Sequence, residues 1–516
     1  MMKRILSIGL AAVLLLSAGC TKKGGTSAAA SGAANTVTYP AAISEEDYEA
    51  QWKVREDNPV KDETIASLNA FAQSSAEKLL TNAGQNENYS PLSLYYALTL
   101  LANGASGETK ANLESVLHTE DAAAMAKELG NLLRMLYRDN KAAKLKIANS
   151  LWMQNDVQFQ DAFKATATDD LYASLFNVDF TDETTVDKMI AWIRENTSNL
   201  EPSFSLDPET IMAIINTIDY RAAWYDEFMK EKNEKLPFHT LAGDIDAEYM
   251  TQKKEFTTYY RGDGFARATL RLAEGGQMTF VLPDENTTLS ELLSRENALN
   301  TLLEGGESRD ADITYRIPKF RFSSDFDLAP LIKALGAEDI FTERADFSAM
   351  TAQPAAVSQI KQQSFIEVNE KGVAASAYTM IDAMAMGLPP EGLEQLDFTL
   401  HRANIYCELI PLCDHGGRRR ADVCRHGVCA FYGLNGNRPQ EKRSVPAGGQ
   451  TVLCRGETTG WPKTAHSPRS SPKKNSATVP MPVCEPMTVP TLLIMTGPSR
   501  FGNVASTRSA TLRASS

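Results

Sequence analysis

Cysteine and histidine are scarce in the first 400 residues of this 516-residue chain, where Cys20 is the only cysteine. His118 and His239 are the only histidines in the same region. Catalytic arrangements that pair a Ser or Cys nucleophile with His therefore have almost no residues to draw on. The HExxH, GxSxG and Walker motifs are also absent from the sequence. We expect no enzymatic activity, no metal and no cofactor; a hydrolase that uses two carboxylates is the one class that this reasoning leaves open.

Basic residues are also scarce before residue 400. Residues 1–400 contain 36 Lys and Arg against 59 Asp and Glu, whereas residues 401–516 contain 16 against 6. Nucleic-acid binding requires clustered Lys and Arg that replace the counterions of the phosphates. The acidic balance of the first 400 residues therefore argues against nucleic acid as a partner.

The N-terminus carries an export signal. Two basic residues precede an apolar run from Ile5 to Leu16, which has the length of a signal-peptide core and is too short to span a bilayer. The sequence Leu-Ser-Ala-Gly-Cys then ends at Cys20 and resembles the lipobox of bacterial lipoproteins, in which the cysteine is acylated. We predict a signal peptide over residues 1–19, then a lipidated Cys20 and flexible linker over 20–61. This predicts an exported protein, anchored to the outer face of a bacterial membrane or extracellular; the alternative is a plain secretory signal.

Hydrophobic periodicity predicts one α+β domain over residues 62–400. Apolar residues recur at helical spacing in three early segments, and later segments have the composition of strands. Helices are predicted from about Asp62 to Leu80, from Pro91 to Leu101 and over 121–137. Strands are predicted over 146–152, 213–219, 267–271, 278–282, 313–317 and 364–368.

Seven blocks within this domain resemble the serpin family in their order and spacing. One block reads Asn-Glu-Asn-Tyr-Ser-Pro-Leu-Ser from Asn86 to Ser93, and another runs from Asn216 to Trp224 and ends in Ala-Ala-Trp. The full set covers 86–93, 104–110, 147–152, 216–224, 318–320, 345–348 and 365–372. The resemblance implies a multi-helix body around a large mixed β-sheet, with an exposed reactive loop at about 370–390 that can insert into the sheet.

The predicted loop has the composition of a segment that can become a strand. Residues 373–381 are mostly small or apolar and contain no proline and no charge. Because strand side chains alternate between faces, Val373, Ala375 and Ala377 would share the inward face of an inserted strand. Taken alone, the segment also fits an ordinary buried strand or a short helix after Gly372. The resemblance assigns the hinge to Glu370, Gly372, Val373, Ala374, Ala375, Ser376 and Ala377.

Family spacing, counted from Glu370, places the reactive bond between Met386 and Gly387; an error of one residue would move it to Ala385 or Gly387. Met is long, apolar and uncharged, which suits the specificity pocket of an elastase-like, chymotrypsin-like or subtilisin-like serine protease. The resemblance therefore implies a monomeric inhibitor that acts by suicide-substrate loop insertion. The alternatives are a non-inhibitory serpin that is cleaved as a substrate, and a surface binding or structural lipoprotein.

The resemblance also implies which residues lie where the central sheet opens. The family usually has His at the position of Gln362. Glutamine donates and accepts hydrogen bonds but removes a titratable group, and we expect the fold to tolerate it. The residues assigned to the sheet-opening region are Ser90, Ser93, Asn216, Trp224 and Gln362.

The sequence changes character over residues 401–516, where the family has two final strands. Charge sign, cysteine content and apolar periodicity change together there, which favours translation out of the original reading frame, or disorder. That interpretation predicts no sheet strands beyond about residue 401. A natural basic extension and a zinc site are the alternatives. The zinc site would use Cys424, Cys429, His415 and His426, and the other cysteines after residue 400 are Cys407, Cys413, Cys454 and Cys484.

Overall fold

A computed structural model describes residues 37–44, 46–80, 86–198, 209–240, 242–374, 392–411 and 427–435. This part of the chain contains ten α-helices and two β-sheets, which confirms the predicted α+β class. The helices are α1 (Tyr48–Asp57), α2 (Asp62–Leu79), α3 (Pro91–Gly104), α4 (Gly107–Val116), α5 (Ala122–Leu136), α6 (Asp161–Ala165), α7 (Thr184–Asn196), α8 (Leu289–Leu293), α9 (Ala298–Glu304) and α10 (Ala329–Leu335).

Helices α2, α3 and α5 confirm the three helices predicted from periodicity. Ser90 caps α3 by accepting the backbone N–H of Ser93 at 3.4 Å, and Pro91 occupies the first helical turn, where its missing N–H costs nothing. Every residue of α3 except Asn103 is buried, as expected of a helix that is apolar on all sides. None of the helices in the described ranges is long and apolar enough to cross a membrane.

The central sheet has seven strands in the described part of the chain. They are β2 (Arg138–Asp139), β3 (Ala143–Gln154), β4 (Ala173–Val178), β5 (Met212–Ala223), β11 (Phe320–Asp327), β12 (Gln359–Asn369) and β13 (Gly372–Val373). Their order is β11, β12, β13, β5, β3 and β2, and β4 also pairs with β3. Within this sheet, β4 runs parallel to β3, and β12 runs parallel to β5.

The second sheet has nine strands within the described residues. They are β1 (Glu87–Tyr89), β6 (Glu234–Thr240), β7 (Gly243–Gly262), β8 (Phe265–Arg271), β9 (Gln277–Pro283), β10 (Glu307–Pro318), β14 (Glu394–Thr399), β15 (Asn404–Pro411) and β16 (Gly427–Asn435). Their order is β1, β16, β15, β9, β8, β7, β10 and β14, and β6 also pairs with β7. Strand β14, which follows the predicted reactive loop, lies beside β10.

One hydrophobic core joins both sheets to the helices. Helix α7 contacts β5 and buries Met189, Trp192 and Ile193, whose spacing of three and four residues defines one face of a helix. The helix therefore lies against the central sheet beside its middle strand.

The second sheet continues past residue 401, which corrects the prediction of no strands beyond that point. β15 pairs with β9 and β16, and β16 also pairs with β1. Ile405, Tyr406 and Cys407 are buried, and Tyr406 Oη donates to Asn88 Oδ1 at 3.0 Å. The apolar character of this short segment is enough for a strand, although the composition around it has changed. Residues 412–426 and 436–516 lie outside the described residues, and the reading-frame interpretation stays a prediction.

Part of the range 20–61, which was predicted to be a flexible linker, is folded. Helix α1 lies within that range, and Val37 and Tyr39 are buried in the main core. The Tyr39 ring stacks on Tyr137 and Tyr172, each with a centroid distance of 6.0 Å. The apolar residues of this segment alternate with Thr38, so one face of an extended chain can pack against the domain.

Candidate functional site

The central sheet is open between β5 and β12. These strands pair directly at one end, where residues 359–361 face residues 213–215. At the other end β13 stands between them and pairs with both. Along residues 362–367 and 216–221, no pairing joins β5 to β12 within the described residues. The two strands thus border a gap along about half of their length.

The first residues of the predicted hinge already lie in this gap. Val373 pairs with Val368 of β12 on one side and with Ala222 of β5 on the other. Its side chain is 0% exposed and belongs to the main core, as the inward face of a strand requires. Ala374 is buried as well, although strict alternation would turn it to the opposite face.

The backbone of the hinge leaves strand geometry immediately after Val373. Ala374 has φ 48°, in the left-handed region that non-glycine residues disfavour, and its N–H donates to the Glu367 carbonyl at 2.8 Å. Gly372 has φ 150°, which glycine adopts without a steric penalty. The chain therefore turns sharply on both sides of Val373.

Glu370 connects the start of the predicted hinge to residues that border strands of the second sheet. Its carboxylate lies 3.1 Å from Lys319 Nζ and accepts a hydrogen bond from Asn233 Nδ2 at 2.6 Å. Lys319 also pairs with Glu248 at 2.9 Å. Burial alone would raise the pKa of Glu370, but hydrogen bonds from the backbone, Asn233 and Lys319 outweigh it and hold that pKa below its usual value.

Trp224 lies beside the hinge end of the gap. Its indole N–H donates to the Asn369 carbonyl at 2.8 Å, and its backbone N–H donates to the Lys371 carbonyl at 2.9 Å. The ring is buried and packs edge-to-face on Phe228 at 5.7 Å between centroids. Trp224 therefore stabilises the turn between β12 and the predicted hinge through two hydrogen bonds.

Ser90 and Gln362 meet at the end of the gap, next to the residues through which β5 and β12 pair directly. Gln362 Oε1 accepts the Ser90 N–H, and Gln362 Nε2 donates to the Ser90 carbonyl, both at 2.8 Å. Ser93 lies one helical turn further along α3 and donates its N–H to Ser90 Oγ. The amide satisfies a donor and an acceptor at once, so this contact between α3 and β12 does not depend on protonation.

Asn216 lines a cavity between β5, β12 and α7, rather than contacting Gln362. Its Nδ2 donates to Asn149 Oδ1 at 2.6 Å, while its buried Oδ1 has no hydrogen-bond partner among the described residues. The cavity is open to solvent, and α7 contributes Met189 and Ile193 to its lining. It lies where the direct pairing of β5 and β12 ends.

A buried ion pair ties the end of α7 to the sheet. Lys144 of β3 forms a salt bridge with Asp219 of β5, whose side chain is 0% exposed. Ser198, which follows α7, donates its hydroxyl to Asp219 Oδ2 at 2.5 Å and accepts from Lys144 Nζ at 3.0 Å. We call Lys144, Asp219 and Ser198 the α7 latch. The sequence reasoning missed it, because its members come from three separate segments with no motif.

The remaining predicted site residues lie outside the described residues. They are Ala375, Ser376, Ala377, Met386, Gly387 and Cys20. Among the residues that are described, no group of three or more His, Cys, Asp or Glu side chains is arranged to bind a metal. Asn233 is a further residue that sequence reasoning missed, and its contact with Glu370 links segments far apart in the chain.

Comparison with known proteins gives a match to a known protein family. The model of the family described as Serpin (serine protease inhibitor) matches residues 66–402. Serpin-ZX of Arabidopsis thaliana is 28% identical over 361 residues, which cover 65% of this chain and 92% of that protein. The leukocyte elastase inhibitor of Sus scrofa is 28% identical over 330 residues, covering 60% and 87%.

Solved structures show the same fold. The thermophilic serpin tengpin in its native state superposes with a TM-score of 0.61 at 24% identity, covering 73% of this chain and 94% of that chain. Arabidopsis AtSerpin1 in its native stressed conformation also gives a TM-score of 0.61 at 24% identity, with coverage of 74% and 98%.

Proposed function

Because this chain belongs to the serpin family, whose model is that of serine protease inhibitors, we propose that it inhibits a serine protease by inserting its cleaved reactive loop into the central sheet. Serpins are generally protease inhibitors rather than enzymes, and this coarser assignment follows from the family. The loop-insertion mechanism and the identity of the protease are our proposal.

The open central sheet is the observation that carries this proposal. β5 and β12 pair at one end only, and Val373 already bonds to both strands at the other end. Residues after Val373 would extend this strand along the gap and add backbone hydrogen bonds on both sides. Because Val373 is buried with its side chain in the core, continued alternation would turn Ala375 and Ala377 inward, where small side chains fit.

Insertion would also displace the attached protease. After attack at Met386, the sixteen residue steps from Glu370 to Met386, at about 3.3 Å each, would carry the acyl-enzyme roughly 50 Å. That distance is enough to move it from one end of the sheet to the other before deacylation is complete. The fold would supply the driving force by gaining a strand.

The proposed target is a serine protease with apolar specificity. Met386 has no charge with which to engage an acidic specificity pocket. The similarity to a protein named leukocyte elastase inhibitor supports an elastase-like target, with chymotrypsin-like and subtilisin-like enzymes as the other members of this class. We also propose that the protein is a monomer, anchored outside the cell through an acylated Cys20.

Mixing the protein with elastase, chymotrypsin and subtilisin tests the proposed function. We expect a complex that survives denaturing electrophoresis and a released peptide that begins at Gly387. The matched variant Met386→Arg should lose these complexes and form one with trypsin. Complete cleavage at Met386 without a stable complex would instead show a substrate, and cleavage elsewhere would overturn the assignment of the reactive bond.

A further inference from the structure

We propose that Phe256 anchors the target protease at a second contact beside the reactive loop. This proposal rests on the proposed inhibitory function. Phe256 lies on β7 and is 53% exposed. Exposure of a single apolar residue is common, but the backbone that presents this ring is unusual.

Strand β7 carries a β-bulge at this position. The register of β7 against β10 shifts, so that Glu255 and Phe256 both stand opposite Asp312. Phe256 has φ 48°, which residues with a Cβ disfavour. Bulges re-aim side chains, and glycine suits this conformation best. The sequence nevertheless has a large, half-exposed aromatic residue there.

Asp312 joins the bulge to the strand that leaves the reactive loop. Its Oδ1 accepts the Phe256 N–H at 3.1 Å, and its Oδ2 accepts from Gln395 Nε2 at 2.9 Å. Lys253 Nζ also lies 3.2 Å from Oδ2. Gln395 belongs to β14 and is only nine residues after Met386. The proposed reactive bond therefore lies at most about 30 Å from this strand, which is the diameter of a small domain.

The surroundings of Phe256 favour an anchor contact over a larger interface. The ring is flanked along β7 by Lys253, Lys254 and Glu255, which are charged. One aromatic residue within a polar rim is typical of a binding hot spot, whereas a stable dimer buries more than about 1,000 Å². A protease that is docked on the loop would need an apolar pocket beside its active-site cleft to receive the ring.

Three variants test the anchor. Phe256→Gly removes the ring and suits the positive φ, so its thermal unfolding should occur at no lower temperature than that of the parent. Phe256→Tyr keeps the ring, and Trp52→Ala removes an equally exposed aromatic, 53% exposed, from α1. We would measure second-order association rates with elastase, chymotrypsin and subtilisin. Phe256→Gly should lower the rate about tenfold or more with at least one of them, at unchanged stoichiometry of inhibition. Phe256→Tyr and Trp52→Ala should match the parent.

The other outcomes distinguish failure of the proposed anchor from failure of the proposed function. The anchor would be overturned if the association rates of Phe256→Gly stayed within twofold of the parent with all three enzymes. It would also be overturned if these rates fell by the same factor with all three. A change in its sedimentation behaviour would assign Phe256 to contact between copies instead. If the parent is cleaved but does not inhibit, the proposed inhibitory function is wrong. In that case, a tenfold lower kcat/KM for loop cleavage in Phe256→Gly than in the parent would still support the anchor, because the contact precedes acylation.

Discussion

In the proposed mechanism, Val373 is the residue at which the loop would begin to enter the sheet. Its side chain is 0% exposed between β5 and β12, so Val373→Arg would place an unpaired charge in the core, at a cost of several kcal/mol. We expect the variant to be cleaved as a substrate, with a stoichiometry of inhibition far above that of the parent. Titration of elastase with each protein measures this, and Lys371→Ala, an exposed neighbour, is the control. Equal stoichiometry for Val373→Arg and the parent would contradict insertion through this position.

Glu370 makes a pH-dependent contribution to the stability of the fold. Its folded-state pKa is below the usual value, so the carboxylate stabilises the fold above its ordinary pKa of about 4.3, and this is lost as the pH falls through the folded-state pKa. Glu370→Gln should therefore unfold at a lower temperature than the parent at pH 7. The loss in free energy of unfolding should be at most about 1 kcal/mol, because the ion pair of Glu370 with Lys319 is partly exposed. Thermal unfolding from pH 7 toward pH 3 should show the difference shrinking. A constant difference would mean that the charge of Glu370 does not stabilise the hinge.

Helix α7 packs against β5, which borders the gap that the loop would fill. The α7 latch holds its end to β3 and β5 through the buried Asp219 carboxylate. Asp219→Ala leaves Lys144 without its buried partner, and we expect a loss of about 3–5 kcal/mol in stability. The double variant Lys144→Met/Asp219→Leu removes both charges and should recover most of that loss. Denaturant unfolding of the three proteins measures this, and equal losses in both variants would show that the charges are not coupled.

Elements with strong local periodicity could be predicted from the sequence, and those that depend on distant partners could not. The buried helix α3 and strand β12 follow from capping, Pro91 and alternation, so both appear where the pattern predicts them. β15 and β16 were not predicted, because their pairing with β9 and β1 outweighs the changed composition of the tail. Of the site, the hinge was assigned from the family resemblance, and its role stays a prediction. The α7 latch and the Phe256 bulge arise only from registers and contacts between separate segments.

At the scale of the whole molecule, the two strands after residue 401 complete the second sheet. A chain that ends after Ala403 would lose buried Ile405, Tyr406 and Cys407, leave β1 without its partner and expose the edge of β9. We expect it to be several kcal/mol less stable than the full chain, or insoluble. A chain that ends after Asn435 keeps both strands and should unfold like the full chain. Thermal unfolding compares the three, and equal midpoints for all of them would contradict a structural role for β15 and β16.

Attachment to a membrane is a separate prediction for the whole molecule. If Cys20 is acylated, wild-type cells should incorporate a fatty-acid probe into the protein, and Cys20→Ala should abolish that labelling and release the protein from the membrane fraction. Equal labelling of both proteins would contradict the lipid anchor. The result does not affect the proposed inhibitory mechanism, which depends on the folded domain.

Thermal unfolding before and after cleavage of the loop at Met386 tests loop insertion most directly. If the cleaved loop becomes a strand between β5 and β12, it fills the gap and adds hydrogen bonds along both strands. The cleaved protein should then unfold at a markedly higher temperature than the intact protein, and Val373→Arg should lose most of this increase. A cleaved protein that unfolds at the same temperature as the intact one, or lower, would contradict loop insertion.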